Sequence, residues 1–268
     1  MKQNYIVMDV ALCHDCNNCF IACKDEHVDN DWAPYTKAMP RHGHRWMNIL
    51  RRERGSGGRI DAVFLPLLCQ HCEDAPCVKA HPDCVSRDSR GVVYIDIHKA
   101  KDRSEIVESC PYGAIYWNEE ESLPQKCTMC AHLLDEGWAM PRCVHSCPTG
   151  ALRFYAVEPG EMARIVAEEG LSAYRGELGT KPRVYYKNLH RFVKNFIAGG
   201  ALRDGDCFEN AEVELSGNGA DAVQRTDCFG EFKFDGLDDG AYTLRIDQRK
   251  TVSAHVSGAS VNIGEISA

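Results

Sequence analysis

Cys13, Cys16, Cys19 and Cys23 form a C-x2-C-x2-C-x3-C run near the start of the chain. Three thiols within seven residues cannot reach three separate partners, but they can wrap one compact core of metal and sulfide. This is the ligand spacing of a bacterial-type iron–sulfur site, in which the fourth cysteine serves a different cluster from the first three. Lys24 stands where a proline usually follows. The run makes a demand on the rest of the sequence. A lone cysteine must complete the first cluster, and three others must share a cluster with Cys23.

The remaining groups answer that demand. Cys127-x2-Cys130-x12-Cys143-x3-Cys147-Pro148 supplies Cys127, Cys130 and Cys143 for Cys23, and Cys147 for Cys13, Cys16 and Cys19. The reciprocal exchange gives two neighbouring clusters related by a pseudo-twofold axis. A further group, Cys69-x2-Cys72-x4-Cys77, is followed by His81-Pro82 where Cys-Pro would be expected. Cys110-Pro111 ends a segment in which a full run would place cysteines at 100, 103 and 106. Those positions hold Ala100, Arg103 and Ile106. One complete ligand set is therefore missing, and Cys69, Cys72, Cys77 and Cys110 remain as a third. Four ligands on each of three [4Fe–4S] clusters use twelve of the fifteen cysteines. Cys84, Cys207 and Cys228 are left as small hydrophobes or free thiols.

Zinc is the nearest rival, because a C-x2-C with a distant C-x3-C can form an all-cysteine site. The first run packs its thiols too tightly for independent tetrahedral sites, and Cys-Pro after two groups fits clusters better. Disulfides come third. A cluster capped by four cysteines offers no open iron to a substrate, which favours one-electron transfer over catalysis. Lys24, Lys126 and Arg142 lie beside ligands and could raise cluster potentials by their charge. The sequence has no phosphate-cradling glycine loop, nucleophile elbow or H-E-x-x-H. Glu119, Glu120 and Glu121 read as a solvated charge run. No residue is a candidate for catalysis, so redox centres without a substrate site imply a partner that has one.

Composition sets the frame for these sites. The 268 residues suit one large domain or two smaller ones. A net charge of −8 argues against nucleic acid and against an anionic membrane surface. No run of about 18 apolar residues exists, so no membrane span is expected. The N-terminus lacks the apolar core and cleavage site of a signal peptide. Cysteines used as metal ligands fit a reducing compartment, so the cytoplasm is expected, with export on a signal-bearing partner as the alternative.

Residues 4–10 read as a strand that leads into the first loop and then a helix, with Cys23 early in that helix. Residues 24–68 are an insertion with Trp32, Tyr35 and Trp46 as anchors. Arg41, His42, His44, Arg45, Arg51, Arg52 and Arg54 make it basic. It reads either as a solvated hairpin or as a surface for a partner subunit. Residues 92–97 read as a strand, and Pro159 opens a helix that runs to Glu169. Gly199-Gly200 is expected to be a boundary. It separates an iron–sulfur domain, 1–200, from a C-terminal domain, 201–268, of short alternating runs and turn clusters. The fold class is α+β: a doubled bacterial-ferredoxin-like core with insertions, then a small all-β sandwich. The phrase from Thr226 to Tyr242 resembles transthyretin-like and carboxypeptidase-regulatory-like, Ig-like modules.

The four-group layout over residues 5–150 resembles the iron–sulfur subunits of the dimethyl sulfoxide reductase family of molybdopterin enzymes. Within it, MDVALCHDCNNCF, GHRWMNILRRERG, CPYGAIYWNEE, QKCTMCAHLLDE and GTKPRVYYKNLHRF are similar to the small subunits of pyrogallol–phloroglucinol transhydroxylases. The missing fourth cluster and the C-terminal sandwich fit the same group. The resemblance implies a heterodimer with a larger catalytic subunit. That subunit holds molybdenum and two pterin guanine dinucleotides and transfers a hydroxyl between polyphenols. Related catechol dehydroxylases or other reductases would instead draw electrons through this chain. A stand-alone ferredoxin and a zinc-scaffold module are further alternatives. In the wider family the group erased here serves the end of the wire far from molybdenum, which implies that an exit to a membrane anchor has been lost.

Overall fold

In the computed structural model, which describes residues 1–268, the apolar run before the first cysteine is strand β1 (Gln3–Asp9), with five consecutive buried residues. A strand covered on both faces is apolar throughout rather than alternating. The chain continues through helix α1 (Asn18–His27), the hairpin of β2 (Met47–Ser56) and β3 (Arg59–Leu68), and the short helix α2 (Pro76–Ala80). Two small hairpins follow, β4 (Val85–Arg87) with β5 (Val93–Ile95) and β6 (Tyr116–Asn118) with β7 (Leu123–Gln125). Then come α3 (Ala131–Asp135), α4 (Arg142–His145), β8 (Leu152–Val157), α5 (Pro159–Glu168), β9 (Val184–Lys187) and α6 (His190–Val193). The remainder is strand: β10 (Asn195–Arg203), β11 (Asp206–Cys207), β12 (Glu212–Gly217), β13 (Ala220–Arg225), β14 (Glu231–Leu237), β15 (Gly240–Ile246), β16 (Lys250–Val256) and β17 (Val261–Ser267). No helix is long and apolar enough to cross a membrane.

The chain forms two units, Met1–Leu50 with Phe64–Leu189 and Arg51–Val63 with His190–Ala268. In the first, β1 lies between β8 and β9, antiparallel to β8 and parallel to β9. Helix α5 supplies Met162 to the core of Tyr5, Val7 and Leu171. As its sequence signals require, α5 opens with Pro159 in its first turn. A second core gathers Val85, Val93, Ile95, Ile106 and Ile115 around the cysteines of residues 69–84.

In the second unit, β10 pairs antiparallel with β11 and β14 and parallel with β17. The other sheet has the order β13-β12-β15-β16. Ile197, Phe232 and Phe234 of the first sheet share one core with Val213, Leu215 and Leu244 of the second. The expected boundary at Gly199-Gly200 falls inside β10. These glycines serve close packing: a Cβ at Gly199 would stand 2.8 Å from both Ile263 Cγ1 and Phe232 Cζ. The unit therefore begins at His190, ahead of the expected residue 201, and also includes the hairpin segment Arg51–Val63.

That segment corrects the solvated reading for part of the basic insertion. Arg54 has a fully buried side chain that pairs with Asp61 and Asp235. Arg52 donates to Asn195 Oδ1 at 2.8 Å. In the first unit Arg45 donates to Asn17 and Asn48 and covers the Phe20 ring. These three arginines are internal fastenings, whereas Arg41, His42 and Arg51 of the same insertion are exposed.

Candidate metal centres

All twelve candidate cysteines lie in the first unit, and the structure sorts them into three groups of four. For the first group the sheet does the sorting. Met8 stands opposite Leu152 in the β1–β8 register, and Asp9 N donates to Ala151 O at 2.8 Å. The loop leaving β1 therefore lies beside the loop entering β8, and Cys13 becomes the neighbour of Cys147. Cys16 and Cys19 complete the group. Asp15 and Asn17, with φ of 55° and 61°, bend the backbone left-handed between successive cysteines.

Helix α1 links this group to the next. Cys19 and Cys23 are four residues apart, so they share a helix face about 6 Å apart along the axis. Cys23 is in mid-helix, not early in it. Helix α4, packed against α1, carries Cys143. Cys23, Cys127, Cys130 and Cys143 face one another, and Cys19 lies next to Cys23 and Cys143. Cys69, Cys72, Cys77 and Cys110 form the third group and line one largely enclosed pocket. Cys69 in turn neighbours Cys127. The groups thus run in series: first, second, third.

Burial pushes the thiols of Cys19, Cys72, Cys127 and Cys130 up to about 12 and that of Cys77 to about 11. Cys23 and Cys143 stand well above the ordinary thiol range for the same reason. For all of these, neighbouring thiols add to the rise. Such crowded sulfurs cannot all ionise without a cationic centre, and a bound metal displaces their protons. Cys147 differs. Burial works upward, but the Thr149 hydroxyl and nearby backbone N–H groups outweigh it and hold the thiol below its usual value. The all-cysteine donor set suits a [4Fe–4S] cluster.

The four positions without ligands are filled by side chains. Arg103 bridges His81 Nδ1 and Cys84 Sγ, each at 3.2 Å, and pairs with Asp83 and Glu105. Ala100 and Ile106 are fully buried. The loop nonetheless keeps one backbone feature of the cysteine-bearing loops. Asp15, His71 and Met129 each stand two residues after the first cysteine of a group, and each has positive φ. Asp102, two residues after Ala100, has φ 62°. Cys84 is buried, while Cys207 and Cys228 are exposed.

Several residues around the sulfurs were not singled out in the sequence. His27 Nε2 lies 3.9 Å from Cys130 Sγ. Its position four residues after Cys23 on α1 was the available signal. Thr180 bonds to Cys72 and receives or gives a 2.7 Å bond with Tyr112 OH. No spacing in the sequence announces that contact.

A 4Fe-4S dicluster domain model matches residues 60–157. The pyrogallol hydroxytransferase small subunit of Pelobacter acidigallici is 55% identical, covering 92% of this chain and 91% of its own. The chain belongs to the iron–sulfur subunits of the dimethyl sulfoxide reductase family. A Halobacterium salinarum protein named as the iron–sulfur component of a dimethyl sulfoxide reductase is 30% identical, covering 69% of this chain and 79% of its own. A sulfite dehydrogenase component from Allochromatium vinosum is 30% identical, covering 69% and 83%. Membership accounts for the 4Fe–4S domain and the mixed α and β build. The strand-rich C-terminal part lies beyond the matched domain model.

Proposed function

We propose that this chain is the electron-transfer subunit of a heterodimeric molybdopterin enzyme that moves a hydroxyl between polyphenols of the pyrogallol–phloroglucinol type. The reading is carried by the 55% identity to a pyrogallol hydroxytransferase small subunit over 92% of the chain. The serial order of the three thiol groups supports it. Cys13, Cys16, Cys19 and Cys147 hold the first [4Fe–4S] cluster. Cys23, Cys127, Cys130 and Cys143 hold the second, and Cys69, Cys72, Cys77 and Cys110 the third.

Such clusters supply one-electron transfer and, with every iron capped by cysteine, no substrate position. The chain's own residues fix their spacing and surroundings. Helix α1 holds Cys19 and Cys23 about one turn apart, the Thr149 hydroxyl bonds to Cys147, and the buried core around Cys69–Cys77 excludes water. Molybdenum and two pterin guanine dinucleotides belong to the larger catalytic partner, next to the first cluster. Hydroxyl transfer between phenols has no net redox change. The electron path therefore sets the oxidation state of the partner's metal and is not used in every turnover. With the fourth ligand set replaced, the path has no exit to a membrane anchor, and the complex works in the cytoplasm. The C-terminal unit is a transthyretin-like sandwich that serves stability or subunit contact.

The test is to purify the complex, measure iron and labile sulfide, and assay conversion of pyrogallol to phloroglucinol without an external reductant. Turnover under those conditions is expected. A steady demand for reductant would instead assign the chain to a catechol dehydroxylase or another reductase. A colourless, iron-free native complex would sink both readings.

A further inference from the structure

Lys126 is 3% exposed. Its ammonium donates to the carbonyls of Val93 and Cys127, and no carboxylate is among its partners. A buried charge without a counter-charge is costly, and buried charges in folded proteins are paired. Lys126 precedes Cys127 of the second group and also lines the cavity of Cys69, Cys72, Cys77 and Cys110. Its field acts on Cys127 on one side and on Cys77 and Cys110 on the other. The other cations beside ligands are placed differently. Lys24 donates to Pro40 O at 2.7 Å and acts on the second group alone. Arg142 is answered by Asp25 and Glu26.

We propose that Lys126 is the shared counter-charge of the second and third clusters and raises the reduction potentials of both, leaving the first unmoved. This rests on reading the thiol groups as cluster sites. Each reduction adds one negative charge to a cluster. A cation held close to it in a poorly screened interior stabilises the reduced form more than the oxidised form. One charge placed between two centres lifts both together and keeps the step between them short in energy. Lys126 is a tuning residue and touches no substrate.

The experiment is an EPR-monitored redox titration with dithionite of the native complex and of Lys126→Met, Lys126→Gln and Lys126→Arg complexes, each with iron and sulfide content determined. In the Met and Gln variants two of the three clusters are expected to become harder to reduce. At a fixed potential, their reduced-to-oxidised ratio should fall about tenfold, which is about 59 mV for a one-electron centre. The signal of the first cluster should not move, and Arg should restore native behaviour. Loss of clusters from Met and Gln but not from Arg would equally show that the charge is required. Full cluster content with unmoved potentials would overturn the proposal, as would equal shifts in all three clusters or an Arg variant as impaired as Met. Absence of iron from the native complex would instead overturn the cluster assignment beneath it.

Discussion

Arg54 grips Asp235 with both terminal nitrogens, Nη1 to Oδ1 at 2.8 Å and Nη2 to Oδ2 at 2.9 Å. Asp61 receives the same guanidinium at 2.6 Å, and Lys233 also reaches Asp61, at 2.7 Å. Removing Asp235 leaves the buried Arg54 with Asp61 alone, at a cost above about 1 kcal/mol and below the about 3–5 kcal/mol of a fully broken buried pair. Asp235→Ala should lower the stability of the second unit by an amount between those bounds in denaturant unfolding. The exposed pair Arg249–Asp247 offers a control, since Arg249→Ala should change stability by less than about 0.5 kcal/mol.

The same network fixes an acid response. Burial pushes Asp235 and Asp61 upward. Hydrogen bonds from Arg54 to both, and from Lys233 to Asp61, outweigh it and hold both carboxyls below the ordinary 3.8. A depressed carboxyl contributes stability that is fully present above its unfolded value and is lost as pH falls through its folded value. Melting temperatures should therefore show no pH dependence from this pair between about pH 5 and 7 and a decline below about pH 4. Asp235→Asn should flatten that decline, and an unchanged acid limb in this variant would contradict the assignment.

Cys147→Ser should remove one cluster and lower iron by about four per chain. Cys84→Ala, which alters the buried cysteine at the Arg103 contact, should leave iron unchanged. Iron and sulfide analysis of the two purified complexes separates ligand from non-ligand cysteines without reference to activity.

Thr149 lies beside Cys147, with Oγ1 3.6 Å from Sγ. Hydrogen bonds to ligand sulfurs favour the reduced cluster. Thr149→Val should lower the reduced fraction of the first cluster at fixed potential by up to about tenfold, or about 59 mV. Redox titration checks this, and the other two signals serve as internal references.

The 4Fe–4S character of the chain was legible because cluster loops are local: three cysteines within seven residues state their spacing in the sequence itself. The exchange of Cys23 and Cys147 is an expectation from count and spacing. Arg54 was not, because its partner Asp235 lies 181 positions away and nothing in a basic hairpin names it. Gly199-Gly200 was misread because a glycine pair signals freedom in a loop and close contact in a sheet. Only the Phe232 and Ile263 side chains on the neighbouring strands distinguish the two. His27 lay in between. Its helical offset from Cys23 was present in the sequence, but its approach to Cys130 depends on where α3 begins.

Asp15, His71 and Met129 bend at sites where sulfurs converge, so their shape alone could be attributed to the clusters they surround. Asp102 bends the same way with no thiol in its loop, held by its own backbone bond to Ser122 O at 2.8 Å. The turn is thus written in the polypeptide itself, and this loop keeps the bend without a single thiol to hold.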